Sequence, residues 1–138
     1  MDGDLHRTMK STFFDRGQDL VLIEAHLVGH RSDARLNLVL DTGASNTMVT
    51  PDVMDQIGYS ARDGLGLSAI SSPLGREFGY RIRVDSFEVL AFPFPDFSVA
   101  VHDFTNLGGI DGLLGWDFLQ RFNLDVRPRE GRITAEPA

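Results

Sequence analysis

The stretch Arg35-Leu36-Asn37-Leu38-Val39-Leu40 alternates, which puts Leu36, Leu38 and Leu40 on one face of a strand, and it runs directly into Asp41-Thr42-Gly43-Ala44-Ser45. A strand that ends in a carboxylate and then turns on a glycine holds that carboxylate in a fixed place at a loop apex. Fixed placement is what acid–base chemistry requires of a carboxylate. Asp-Thr-Gly by itself decides little, because three residues recur by chance. Here an apolar strand, Asn46-Thr47-Met48-Val49, follows it, and a second glycine-rich apolar segment lies far downstream: Gly109-Ile110-Asp111-Gly112-Leu113-Leu114-Gly115-Trp116-Asp117-Phe118-Leu119.

The spacing of the remaining apolar runs gives the organisation. A dense strand is expected over 19–28, a hairpin turn at Gly29-His30-Arg31-Ser32-Asp33, and the return strand from Ala34 to Leu40. Thr50-Pro51-Asp52-Val53 has the signs of a helix start, with Thr as N-cap, Pro at the first helical position and an acid in the first turn, and the helix should stop at Gly58. Two strands are expected over 64–84, around the turn-rich tip Ser71-Ser72-Pro73-Leu74-Gly75. Further strands are expected over 85–91 and 97–102. The prolines of Phe92-Pro93-Phe94-Pro95-Asp96 exclude that segment from a central ladder position. A short helix from Trp116 to Phe122, a strand from Leu124 to Arg127, a turn at Gly131 and a last strand from Arg132 to Ala135 complete the pattern. Residues 1–17 are polar and mixed and are expected to form a partly flexible arm, with Phe13 and Phe14 as its anchors; residues 18–138 form the domain. Short strands at even spacing imply an all-β fold, a small closed barrel.

Composition narrows the function. The 138 residues suffice for one domain with a real core. A net charge of -7 and a pI near 4.9 argue against nucleic acid, which demands a basic face. The absence of cysteine excludes disulfides, thiolate metal sites and cysteine nucleophiles. No apolar run approaches the roughly 20 residues that span a bilayer. Met1-Asp2-Gly3-Asp4-Leu5-His6 lacks the basic start and apolar centre of a signal peptide, so the expectation is a soluble protein, cytoplasmic rather than exported.

Together the two glycine-bearing segments resemble the retropepsin-like aspartic proteases, the single-lobed relatives of pepsin. In that family an apolar strand ends in Asp-Thr-Gly-Ala, and later an apolar pair plus Gly leads into a short helix before a C-terminal strand. Leu113-Leu114-Gly115 and the stretch Trp116 to Arg121 match the later elements, in the family's order, over about residues 19–135. The resemblance implies an acid-protease barrel with one short helix after the active loop and another near the C-terminus. It also implies an aspartic endopeptidase acting on extended polypeptides, with no cofactor and no metal.

Asp41 is the single candidate for the catalytic carboxylate. The family's chemistry needs two facing aspartates, yet Asp111-Gly112 lacks the middle residue and Asp63-Gly64 has no matching strand before it. One active Asp per chain implies a homodimer with Asp41 from each subunit at the two-fold axis. By resemblance, the Thr42 hydroxyl bonds across that axis, Gly43 permits the turn and offers its carbonyl to substrate, and Ala44, Ser45 and Asn46 lie along the substrate backbone. The hairpin from Leu67 to Tyr80 sits where the family places its flap, with Ser72, Pro73 and Leu74 at the tip; Ile70 and Leu113 would line apolar pockets. Ala44 offers no side-chain hydrogen bond to an ionised carboxylate, so the expected working pH is mildly acidic, about 4.5 to 6.5. Retroviral members carry an ion pair where this chain has Ser45 and Trp116, so the dimer contact must differ.

Other features have plainer readings. Asp111-Gly112 is expected to be a turn, and Asp117 a helix N-terminal charge. Trp116 is expected in the core or at the dimer contact. His26 and His30, four apart at a strand end, are a solvated pair rather than metal ligands, and Arg127, Arg129 and Arg132 are a solvated face. Phe87, Phe92, Phe94 and Phe97 are core and edge packing. Two rivals to the protease share these residues: a catalytically inactive retropepsin-like dimerisation or peptide-binding module, and a small-ligand barrel with Asp41 as polar anchor.

Overall fold

A computed structural model describes residues 8–72, 75–103 and 109–138; for 70–72 and 75–77 it describes the backbone alone. The fold starts from the alternation already noted. In β2 (Leu22–Val28) and β3 (Asp33–Leu40), Ile23, Ala25, Leu27, Leu36 and Leu38 all point inward and are at most 2% exposed. The strands pair antiparallel from Leu22 opposite Val39 to Val28 opposite Asp33, and the turn closes with the Gly29 N–H donating to the Ser32 carbonyl at 2.9 Å. Gly29 is there for closeness: a Cβ would meet the Ile57 carbonyl and the Tyr59 ring at 2.7 Å each.

The remaining strands extend this pair in both directions. They are β4 (Met48–Val49), β5 (Gly66–Ser72), β6 (Gly75–Arg83), β7 (Ser86–Val89), β8 (Phe92–Pro95), β9 (Ser98–Val101) and β10 (Gly112–Leu114). The nine strands form one sheet in the order β5-β6-β9-β4-β10-β3-β2-β7-β8, curled into a half-barrel. The Phe-Pro-Phe-Pro segment forms β8, and its place at the sheet's end is where two residues without an N–H are tolerated. Its connection to β7 forces Leu90 and Ala91 to positive φ, 55° and 68°.

Two short helices complete the barrel. In α1 (Pro51–Gln56), Val53 and Met54 are buried; Thr50 stands at the N-cap, but its hydroxyl makes no capping bond. Gly58, at φ 93°, carries the chain away after α1. α2 spans Trp116–Leu119 and is shorter than the sequence suggested, because β11 (Phe122–Arg127) begins directly after it. Phe118 of α2 lies edge-on to Phe87, Phe94 and Phe97 and beside Phe122, so the aromatic run of β7–β9 is core packing, as read.

A second sheet has the order β1-β12-β11, built from β1 (Lys10–Phe13), β11 and β12 (Arg132–Pro137). The stretch expected to be a flexible arm therefore contains a paired strand, with Lys10 opposite Ala135 and Phe13 opposite Arg132. Phe14 packs against the core, whereas Phe13 is 71% exposed. Arg127 and Arg132 are paired with Asp125 and Glu130, on the solvated face foreseen for them. No helix among the described residues is long and apolar enough to cross a membrane.

Candidate functional site

Asp41 follows β3 directly and is partly buried. Its position is fixed from both sides of the backbone. Its N–H donates to the Leu114 carbonyl at 3.0 Å, and its own carbonyl accepts the Ala44 N–H at 3.2 Å. The carboxylate is fixed as well, because the Gly43 N–H donates to Oδ1 at 2.9 Å. β10 runs parallel to β3, with Leu114 opposite Leu40, so the loop after β3 and the turn after β10 leave the sheet side by side.

Those two loops are joined by a small network. The Trp116 N–H donates to the Ala44 carbonyl at 2.7 Å and the Asp117 N–H to the Ser45 carbonyl at 3.1 Å. In return, the Asp117 Oδ1 accepts from the Thr47 N–H at 2.9 Å, the Thr47 hydroxyl at 2.7 Å and the Phe118 N–H at 2.8 Å. The Thr47 Oγ1 in turn accepts the Gly115 N–H at 3.1 Å. Thr47 is fully buried, so these bonds supply partners it cannot obtain from water. Gly115 allows the approach: a Cβ there would lie 2.5 Å from the Asn46 carbonyl group. Asp117 does occupy a helix start, as read, but its carboxylate mainly ties that start to the Asp41 loop. Thr47 was not singled out from the sequence at all. Its burial next to an apolar pair, and the Asp after Gly115-Trp116, were the available signals.

Asp111-Gly112 is not a turn. The Asp111 N–H donates to the Asn37 carbonyl at 2.8 Å, the Asp111 Oδ2 accepts the Asn37 N–H at 2.8 Å, and Gly112 opens β10. A side chain at Gly112 would collide with the Met48 carbonyl. The pair therefore clamps β10 against β3 beside the site.

Thr42, Gly43, Ala44, Ser45 and Trp116 line a cavity of about 290 Å³. Trp116 is 49% exposed there and lies outside the core cluster, so of the two placements expected for it, core or dimer contact, the core is not what the structure has. Asn46 does not line this cavity; its backbone packs on Gly115. Leu113, half-buried in β10, stands opposite Val39 and Met48. Ile70 and Ser72 belong to β5 by backbone, while Pro73 and Leu74 lie outside the described residues. The hairpin expected over 67–80 is present as β5–β6, with Leu67 opposite Tyr80 and Ser72 opposite Gly75, and the buried His102 holds its base through a 3.0 Å bond between Nε2 and the Ser68 hydroxyl. A larger cavity of about 570 Å³, lined by His30, Arg31, Tyr59 and Arg62 among others, shares no residue with the Asp41 loop. His26 is bonded to Asp33 at 2.6 Å, and among the described residues no group of three or more His, Asp or Glu is arranged to hold a metal ion.

A half-barrel in which one strand ends in an aspartate and a parallel strand lies beside it is the arrangement expected of the acid-protease barrel. The chain matches the family described as aspartyl protease over residues 27–118 and belongs to it. Its fold is that of the retropepsin-like members. It superposes on a retropepsin-like aspartic protease from Rickettsia conorii with a TM-score of 0.71 at 16% identity, covering 95% of this chain and 93% of that one. It also superposes on EIAV protease, solved in complex with the inhibitor HBY-793, with a TM-score of 0.58 at 21% identity, covering 75% of this chain and 88% of that one. Comparison with curated protein sequences gives no match.

Proposed function

We propose that this chain is an aspartic endopeptidase that cleaves extended polypeptides as a homodimer, one Asp41 coming from each subunit. The observation that carries the reading is the fixed Asp41 carboxylate, held by the Gly43 N–H and set beside a neutral cavity. The family match supports the reaction class. A single Asp-Thr-Gly in the chain supports the dimer, because hydrolysis by this route needs a second carboxylate.

Two carboxylates a few Å apart are not both ionised at low cost, so the pair holds one proton and titrates as a unit. The ionised member takes a proton from a bound water as it attacks the scissile carbonyl carbon, and the protonated member donates to the carbonyl oxygen. The tetrahedral diol then collapses as a proton passes to the leaving nitrogen. Thr42 holds the two loops across the axis. Gly43, Ala44, Ser45 and Asn46 run along the substrate backbone. The β5–β6 hairpin closes over it, and Leu113 faces substrate side chains. Substrate pairs with these strands as an added β-strand.

The test is cleavage of a peptide library by wild type and Asp41→Asn, scanned from acidic to neutral pH. Cleavage by wild type alone, strongest at mildly acidic pH, is the expected result. Absence of cleavage by a folded, dimeric wild type would leave the inactive peptide-binding module in its place.

A further inference from the structure

Trp116 is the only tryptophan of the chain, and about half of its surface faces solvent beside the Asp41 loop. Its backbone is among the best-fixed points of the site. The Trp116 N–H is bonded to the Ala44 carbonyl at 2.7 Å, and the next residue, Asp117, holds the Thr47 N–H and hydroxyl. A large apolar ring carried on so rigid a mount, yet left outside the core cluster, is placed for contact with something outside this chain's own fold.

The cavity it lines gives the chemistry of that contact. Its other walls are Thr42, Gly43, Ala44 and Ser45, so among the described residues no charged side chain lines it. A charged group entering would lose hydration and find no counter-ion, whereas an apolar one would cover the indole and the Ala44 methyl. Because Thr42, Gly43 and Ala44 follow Asp41 directly, whatever fills the cavity is continuous with whatever meets that carboxylate.

We infer that Trp116 is a specificity-determining residue, forming the wall of a subsite that takes a large apolar or aromatic side chain of the bound polypeptide. The inference rests on the peptide-binding reading of the Asp41 site. It departs from the expectation that this residue serves the core or the dimer contact.

The lone indole makes the test direct. Full-length Asp41→Asn is titrated with random octapeptide pools, each with one central residue fixed as Phe, Leu, Ala, Asp or Lys, while tryptophan emission is followed. The Phe and Leu pools shift the emission to the blue and the Asp and Lys pools leave it unchanged; no shift with any pool overturns the inference. In parallel, the same pools are offered to Asp41-bearing enzyme with Trp116, Trp116→Phe or Trp116→Ala. The Ala variant loses about tenfold or more in kcat/KM on the Phe pool relative to the Ala pool, while the Phe variant keeps most of the preference. An equal loss on every pool, or a change in the monomer–dimer equilibrium by sedimentation, makes Trp116 a dimer contact and overturns the inference. An emission shift without cleavage by wild type overturns the endopeptidase reading and leaves the subsite standing.

Discussion

Replacing Asp117 with alanine tests whether the site loop is held by this carboxylate. All three bonds it accepts go to one oxygen, Oδ1, from the Thr47 N–H, the Thr47 hydroxyl and the Phe118 N–H. The Phe118 N–H has a second acceptor, the Gly115 carbonyl at 3.2 Å. The two Thr47 donors are fully buried and would be left bare. A buried donor without a partner costs about 1–3 kcal/mol. Allowing for rotation of the hydroxyl, the expected loss is about 3 kcal/mol, or roughly 10 °C in Tm for a domain of this size. Asp117→Asn keeps an oxygen where Oδ1 stands, so it should lose only the charge assistance, about 1 kcal/mol. Thr47→Val removes the donor to Asp117 and the acceptor of the Gly115 N–H, and its cost should not add to that of Asp117→Ala, since both break one network. Urea unfolding followed by circular dichroism measures wild type, the three single variants and the Thr47→Val/Asp117→Ala double variant, with Trp116 emission reporting the loop itself. Equal losses for the Ala and Asn variants, or a loss under about 1 kcal/mol for Ala, would refute the reasoning.

Three further outcomes are expected. Ala91 sits at φ 68°, a region that favours glycine, so Ala91→Gly should raise stability by about 0.5–1 kcal/mol in urea unfolding; a destabilised variant would show the turn is not strained there. The hydrogen bond from His26 holds the Asp33 carboxyl below its ordinary value of 3.8, so the pair stabilises the fold above that pH and the contribution is lost as pH falls below it. Tm measured from pH 6 to pH 2 should therefore drop less steeply for His26→Gln, and an unchanged slope would remove the pair's role. If the working enzyme is a weakly associated homodimer, specific activity should rise with protein concentration, and activity proportional to concentration down to nanomolar enzyme would exclude that.

What the sequence revealed and what it hid divide along a physical line. β2, β3 and their turn were legible because their partners are neighbours in the chain and their faces alternate. α1 was legible through Pro51 and Gly58; Pro93 and Pro95 excluded a central ladder position for their segment, but that it forms a strand, β8, was not read. Asp111-Gly112 was misread because Asp-Gly is a common turn pair, and nothing local shows that Asn37 waits beside it. The bond between Thr47 and Asp117 joins residues that no periodicity connects, so a polar residue in an apolar strand passed without notice. Trp116 was read as a core or dimer-contact residue; its half-exposed ring removes the core placement, which rested on the ordinary tendency of aromatic rings to be buried. The Asp41 loop itself was legible, because the strand, the carboxylate and the glycine are consecutive.

The pairing of β1 with β12 has a consequence for how the chain folds. Lys10 lies opposite Ala135, nearly the whole sequence apart, whereas β2 and β3 meet across a turn of a few residues. Closing so long a loop is costly in entropy until other contacts have shortened it, so this sheet is expected to form late. During synthesis β1 emerges well before its partner. In that interval its backbone groups are unpaired, and β1 is open to pairing with a neighbouring molecule instead of its own distant partner.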